Sequence, residues 1–516
     1  MSNENKAYLS KKGYVIRKEK YSSDELSKLK LELRARPLMD DKYAKTGDSS
    51  YSVYIETKNK LYIPKMFGIN RYGFPEYVLE NFEGKEWVLE HEFTGKLLER
   101  QQTPVDVLLD ACYTKGGGIL SLQTGFGKTV CGLYILSKLK AKTLIIVNKI
   151  PLMNQWKSEI QQFLPSVKVG TLQGQKNIDI QDCDIVVAML QSMARIDYPD
   201  ELFNDFRVLI VDETHNLASK IFSQVLFKLC CKYTIGLSAT PKRADGCEYV
   251  FKWHLGDIVY ESNEERKGLP PIIRTLKIDT SEYKEVATEN KFTGQKQIQF
   301  TSMLSELVEM PKRNKLIIEL IKDYIKTDNN RKILVLSDRR SHILNIKQLL
   351  DEDLSITFTY GLFLGGMKIK ELDKGRSCKI VLATFAAFKE GVSEKNLDVL
   401  LLTSPKKYVG HLKNSVKNEG GGMEQIVGRI FRKDHIERNP IIVDLYDNFS
   451  VYKAQGNSRK VFYKEHFKNA IFEDQSINLD EHDNVNVSFI KNKKTKNKQV
   501  EAKSMNENLM KYCILD

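Results

Sequence analysis

At 516 residues the chain has room for roughly two to four domains, each with a sizeable buried core. Hydrophobic residues make up 41% and charged residues 28%, and no apolar run approaches the ~18 residues of a membrane-spanning helix, which excludes a helical membrane protein. Lys and Arg total 80 against 67 Asp and Glu, a net charge of +13 that suits a polyanionic partner and suits solubility equally well.

The N-terminal stretch lacks the apolar segment of a secretory leader. The 8 cysteines are scattered, with no C-x-x-C pair, and several sit in apolar runs where a thiol behaves as a small hydrophobe. Neither a zinc cluster nor a disulfide framework is expected, and the usage fits a reducing compartment, cytoplasmic or nuclear, with no membrane partner.

Residues 1–88 form a first region rich in Tyr, Lys and Ser, read as a small α+β accessory domain. A short helix is expected over 23–33, capped by Ser22 or Ser23, with Leu26, Leu29 and Leu33 on one face. Alternation around Tyr51 to Thr57 predicts a strand. The stretches Leu61-Tyr62-Ile63-Pro64-Lys65-Met66-Phe67-Gly68 and Tyr72-Gly73-Phe74-Pro75 set aromatics beside prolines and basic residues. They would stack on bases or pack the region against its neighbour.

From Trp87 onward, short apolar runs alternate with helical stretches, the pattern of parallel α/β units. Strands are expected at 118–122, 143–147, 184–188, 208–211 and 234–237, and a second series at 331–336, 379–383, 398–402 and 440–443. Residues 89–265 and 266–472 are therefore read as two α/β domains in tandem, with a cleft between them. The charged stretch from 262 to 312 is read as junction and insertion. Residues 473–516 form a basic polar tail, in which 491–498 would be an import signal, a nucleic-acid arm or simply solvated and disordered chain.

One turn stands out. Gln123-Thr124-Gly125-Phe126-Gly127-Lys128-Thr129 lies between a buried strand and a buried helix. Such a turn makes a phosphate cradle from backbone N–H groups and a helix N-terminus. Lys128 would reach the outer phosphates of a bound ligand, and the Thr129 hydroxyl would hold Mg2+. The usual leading glycine is Leu122 here, and a glycine turn beside a surface lysine is the bland alternative. Further on, Asp212-Glu213-Thr214-His215 closes the run Val208-Leu209-Ile210-Val211. Asp212 can hold Mg2+, Glu213 can orient and deprotonate an attacking water, and His215 can sense the nucleotide. An acidic cap for the next helix is the alternative.

Together these segments resemble the superfamily 2 helicases and translocases with a DETH box, over about residues 95–447. The resemblance implies two tandem RecA-like domains with parallel sheets, ATP and Mg2+ as cofactors, and a nucleic-acid partner. Gln102, in Leu98-Glu99-Arg100-Gln101-Gln102, matches the glutamine that reads adenine. Asn148 and Lys149 fall in the first backbone-binding segment, and Gln191 in the next. Ser238-Ala239-Thr240 is the coupling segment. Residues 333–339 are similar to motif IV, and residues 381–391 to motif V, with Thr384 on nucleic acid and Gly391 in coupling. Gln425-Ile426-Val427-Gly428-Arg429-Ile430-Phe431-Arg432 is similar to motif VI, where Gln425 is catalytic and Arg429 and Arg432 are the arginine fingers.

The segment from Gly236 to Gly246 looks like the double-stranded-DNA translocases of XPB type, with Arg243 near the nucleic acid. With residues 62–68 it is similar to helicases of large DNA viruses, of the iridovirus and poxvirus kinds. That resemblance implies 3′-to-5′ movement on DNA, in repair or in transcript release beside an RNA polymerase. It also admits a virion location. Three departures matter: Leu122 replaces the loop's usual first glycine, Ser393 stands where motif V commonly has Asp, and Arg243-Ala244-Asp245 replaces an Arg-Glu-Asp element. An RNA helicase, a polymerase-associated remodelling factor and a restriction-type motor subunit remain alternatives.

Overall fold

The computed structural model describes residues 7–37, 50–75, 77–123, 125–174, 180–214, 219–239, 245–262, 268–289, 296–389, 396–408, 420–431, 433 and 435–481. The N-terminal region comprises β1 (Ala7–Ser10), β2 (Gly13–Arg17), α1 (Ser23–Glu32), β3 (Arg34–Ala35), β4 (Tyr51–Ser52) and β5 (Ile55–Glu56). It continues through β6 (Lys60–Ile63), α2 (Lys65–Tyr72), β7 (Tyr77–Val78) and α3 (Glu80–Glu83). Five of the strands form a sheet in the order β5-β6-β2-β1-β7. The α1 helix starts where expected. Ser22 Oγ accepts from Glu25 N at 3.2 Å and Ser22 N donates to Glu25 Oε2 at 2.7 Å, a reciprocal cap. The strand expected around Tyr51 is cut into the two-residue pieces β4 and β5.

This region is bonded firmly to the domain after it in the chain. Lys65 is buried, and its Nζ donates to the carbonyls of Gly116, Cys231 and Lys232 at 2.9, 3.0 and 2.9 Å. Phe67 meets Trp253 edge-on at 5.4 Å, and Cys230 enters the region's own apolar cluster. Met66 and Phe67 are thereby used in packing, while Phe74 stays exposed.

The next elements are α4 (Glu99–Lys115), β8 (Gly117–Ser121), α5 (Lys128–Leu139), β9 (Thr143–Val147), α6 (Ile150–Phe163), β10 (Val169–Leu172) and β11 (Ile185–Met189). Beyond them come α7 (Leu190–Arg195), β12 (Val208–Asp212), α8 (Lys220–Val225), β13 (Tyr233–Ser238), α9 (Glu248–Leu255) and β14 (Ile258–Glu261). The strands form a parallel sheet ordered β10-β11-β9-β12-β13-β8-β14. Its central strands are buried along their whole length, as a sheet covered on both faces requires. One face packs α4, α5 and α6 through residues such as Leu108, Leu133 and Trp156. The other packs α7, α8 and α9, and takes in Ala35, Tyr51 and Val53 from the N-terminal region.

The second sheet is built from β15 (Ile272–Asp279), β18 (Ile333–Ser337), β19 (Tyr360–Phe363), β20 (Ile380–Thr384), β21 (Val399–Leu402), β22 (Ile441–Asp447) and β23 (Ile471–Asn478). It is also parallel, in the order β19-β20-β18-β21-β22-β15-β23. A short hairpin, β16 (Ala287–Glu289) and β17 (Lys296–Ile298), precedes α10 (Phe300–Glu309) and α11 (Pro311–Thr327). The remaining helices are α12 (Arg340–Glu352), α13 (Ile369–Ser377), α14 (Phe385–Lys389), α15 (Gly420–Gly428) and α16 (Ser450–His466).

Three strands of this sheet, β15, β19 and β23, fall outside the expected series. β15 falls in the stretch read as junction, because Arg274 and Lys277 break its apolar run. Arg274 is accommodated by Glu473 at 2.6 Å and the Tyr324 hydroxyl at 2.8 Å. β23 takes up 471–478, most of it assigned to the tail, by pairing with β15 along its full length.

Candidate active site

Parallel strands bring their carboxyl ends to one edge of the first sheet, and three neighbours there carry the key segments. β13 lies between β8 and β12, with Ser238 opposite Ser121 and Leu237 opposite Asp212. At ~4.8 Å per strand, the ends of β8 and β12 stand about 10 Å apart. Leu122 N donates to Ser238 O at 2.9 Å, so the Ser238-Ala239 segment is bonded directly to the start of the glycine turn.

The turn is held from three sides. Gly125 (φ +90°) and Gly127 (φ +93°) adopt left-handed backbone that side-chain-bearing residues resist. A Cβ on Gly127 would collide with the Gln101 side-chain amide. Gln101 Nε2 donates to Phe126 O at 2.8 Å while its Oε1 accepts from Leu98 N at 2.9 Å. Gln123 N donates to Ser262 Oγ at 2.9 Å, and the Arg100 guanidinium lies over the Phe126 ring at 5.5 Å. Lys128 and Thr129 open α5, whose free N–H groups face the turn. The glycine-lined concavity at a 12-residue helix N-terminus fits a phosphate chain.

Gln102, expected to read the adenine, stands near the start of α4. Its side chain is exposed and bonds Asp106 at 2.8 Å, one turn along the same helix. Its neighbour Gln101, third in the helix, reaches back to the N-cap amide and is thereby aimed at the turn.

Across the edge, Asp212 is 7% exposed. Trp156 Nε1 donates to its Oδ2 at 2.9 Å and Glu213 N to its Oδ1 at 3.0 Å. Burial pushes the carboxyl up to about 6; the Glu213 charge adds to the rise, and the Lys128 ammonium opposes it. Lys128 and Asp212 therefore share one electrostatic site. Thr129, 7% exposed, accepts from Gln155 Nε2 at 3.5 Å. Asp212 and Thr129 offer the hard oxygen donors that Mg2+ prefers. Glu213 has φ +53°, a left-handed conformation in a residue with a side chain, which costs of order 1–3 kcal/mol and recurs at functional sites. Thr214 is fully buried over Gly236 of β13, which fixes the path of the turn.

At the same edge, Asn148 follows β9 and Lys149 caps α6, while Gln191 lies in the first turn of α7. Gln191 Nε2 donates to Asn148 O at 2.7 Å, joining the two segments expected to touch a nucleic-acid backbone. On the second sheet Thr384 ends β20, and its hydroxyl accepts from Ala387 N at 3.3 Å. Arg429 comes directly after α15, is 7% exposed, and sets its guanidinium over the Phe388 ring at 5.4 Å. Gln425 lies within α15. Thr124, His215, Thr240, Arg243, Gly391 and Arg432 lie outside the described residues.

Gln101, Ser262 and Trp156 are the contributors not anticipated from sequence. Trp156 carries a usable signal: a buried indole needs an acceptor for its N–H, and an acidic strand end is a fitting one.

Comparison with known proteins bears on the family. A family model described as the res subunit of type III restriction enzymes matches residues 94–243. A protein of Acanthamoeba polyphaga mimivirus that bears the name of an ATP-dependent RNA helicase, L396, is 30% identical over 469 residues, 90% of this chain and 86% of that one. A protein of Invertebrate iridescent virus 6 named as a helicase, 161L, is 28% identical over 403 residues, covering 73% and 82% of the two chains. Among solved structures, T4 UvsW is similar over 89% of this chain and 96% of its own, with 18% identity and a TM-score of 0.33.

Proposed function

The chain belongs to the superfamily 2 helicases and is an ATP hydrolase, and from that premise we propose that it is a DNA-directed motor moving 3′ to 5′. ATP lies with its phosphates on the Gln123–Thr129 turn, where Lys128 meets the outer phosphates and Gln101 braces the loop. Mg2+, held by Thr129 and Asp212, supplies charge neutralisation at the phosphates. Glu213 orients the attacking water and takes its proton. Arg429 and Arg432 come from the second domain as the two domains close, and their planar guanidiniums bridge phosphate oxygens as charge builds. The Asn148-Lys149 and Gln191 segments grip the strand on one side and the Thr384 segment on the other. Alternation of those grips during the hydrolysis cycle moves the strand.

The observation that carries the motor reading is the bond between Gln191 and Asn148. It joins two segments expected to face the nucleic-acid backbone, on the strand edge that also carries Asp212. DNA is favoured by the match to the restriction-enzyme family over 94–243 and by the resemblance of 236–246 to DNA translocases. The corresponding role is repair, or transcript release beside an RNA polymerase, inside the cell. The mimivirus relative's name favours a second reading, an RNA helicase. ATPase rates with single-stranded, duplex and forked DNA and with RNA, at one salt concentration, decide between them. Stimulation by DNA well above that by RNA is expected. Stimulation by RNA alone would replace the first reading with the second.

A further inference from the structure

The second domain carries a groove that the ATP cycle does not use. It has a volume of about 290 Å³ and lies between the residues just after β15 and the α10–α11 junction. Met303, Leu307, Met310 and Tyr452 form an apolar floor, and the carboxylates of Glu282, Glu306 and Glu309 stand on its rim. These three side chains are exposed, and among the described residues none is held in an ion pair. Lys284 is the one basic rim residue. A groove of this make takes a segment with apolar side chains followed by a run of positive charge.

The chain itself supplies such a segment in its sequence, and the described residues that lead to it lie beside the groove. Asp480 is fixed beside the rim, its Oδ1 accepting from the Thr280 hydroxyl at 2.8 Å and its Oδ2 from Ser281 N at 2.7 Å. Lys312 Nζ, next to Pro311 of the groove, donates to Leu479 O at 3.3 Å. The described chain therefore ends one residue from Asp480, next door to Glu282. Shortly beyond that point the sequence runs Val485-Asn486-Val487-Ser488-Phe489-Ile490 and then five lysines among residues 491–498 with no acidic residue between them. Nine residues separate Asp480 from Phe489, and at ~3.3 Å per residue they reach up to about 30 Å, more than the groove demands.

We infer that residues 485–498 dock in this groove of their own chain, Phe489 and Ile490 on the apolar floor and the lysines along Glu282, Glu306 and Glu309. Occupancy is conveyed to the carboxyl end of β18. Arg339, directly before α12, donates from a terminal guanidinium nitrogen to Thr301 O of α10 at 3.0 Å. Asn314 Nδ2 donates to Val308 O at 2.8 Å while its Oδ1 meets His342 Nε2 at 2.9 Å. While the lysines are docked they are withheld from any other polyanion, including nucleic acid.

The test uses the full chain with a photoreactive phenylalanine in place of Phe489, irradiated at low concentration and mapped by mass spectrometry. The expected cross-link is intramolecular and falls within residues 282–311. It should be lost in the Glu306→Lys, Glu309→Lys variant and regained when Lys493→Glu and Lys494→Glu are added. Basal ATPase activity stays unchanged in each, as a check on folding. Cross-links that fall elsewhere on the chain, that join two copies, or that are indifferent to the charge reversals would overturn the assignment.

Discussion

Glu213 combines two features at one residue: it is the base proposed to act on water, and its backbone is held in the left-handed region. The surrounding bonds, Glu213 N to Asp212 and the burial of Thr214, sustain that conformation. Glu213→Gln keeps the shape and removes the base. ATP turnover should fall by about 10²–10⁴-fold with unaltered thermal unfolding, and turnover like the parent's would refute the role. Lys128→Ala should abolish hydrolysis through loss of phosphate contact, read as the loss of saturable ATP binding.

Asp212 gives a pH signature of its own. Its carboxyl is raised to about 6 in the folded protein, against about 4 when unfolded. Between those values the folded state holds the proton more tightly, so stability falls as pH rises through the window and stays reduced above it. In metal-free protein, Asp212→Asn should therefore be more stable than the parent at pH 7.5, by up to roughly 2–3 kcal/mol, with the difference vanishing near pH 4. Urea titrations at the two pH values measure it, and a difference that grows on acidification would contradict it.

At the scale of elements, the second sheet is locked to its helices by buried ions. Arg313 of α11 meets both carboxylate oxygens of Asp447 at the end of β22, at 2.8 and 2.9 Å, and donates to Thr403 O at 2.8 Å. Both partners are fully buried, so removing one strands the other's charge. Arg313→Ala should cost about 3–5 kcal/mol of unfolding free energy. Replacing the pair together, Arg313→Met with Asp447→Leu, should cost much less, and equal costs would show that the ion pair is not the cause.

Burial acts oppositely on His254. Packed edge-on against Phe227, it is pushed down to about 3. Between pH 6.5 and 3 the unfolded state takes the proton and the folded state does not, so stability is lost as pH falls through that range. Going from pH 7.5 to 5 should cost about 2 kcal/mol through this residue, and His254→Leu should flatten that slope.

Elements were legible where one local rule governed them. The stretches from Leu144 to Val147 and from Val208 to Val211 are apolar throughout, and covered parallel strands need nothing else. β10 and β14, at the two ends of the first sheet, are only partly buried and left no continuous run. β15 is a strand because it pairs with β22 on one side and β23 on the other, and β23 because it pairs with β15, long-range facts absent from their charge-interrupted sequences. The same holds within the site. Lys128, Thr129 and Asp212 sit in contiguous motifs, whereas the choice of Gln101 over Gln102 for the loop depends on which residue falls third in the helix. Trp156 joins Asp212 across a separation of 56 residues.

At the scale of the molecule, the N-terminal region, tied down by Lys65, completes one face of the first sheet. The second sheet is a separate cored unit carrying Arg429 and Thr384. Two cored units with a nucleotide on one and arginines on the other can convert hydrolysis into relative movement. Because the expected grips fall on phosphates, binding should weaken steeply with salt and depend little on base sequence.

Displacement of streptavidin from biotinylated single-stranded DNA measures that movement directly. With ATP, release is expected from the 5′ end and not from the 3′ end, and Glu213→Gln should release none. Release from the 3′ end, or no ATP-dependent release from DNA at either end, would contradict a 3′-to-5′ DNA motor.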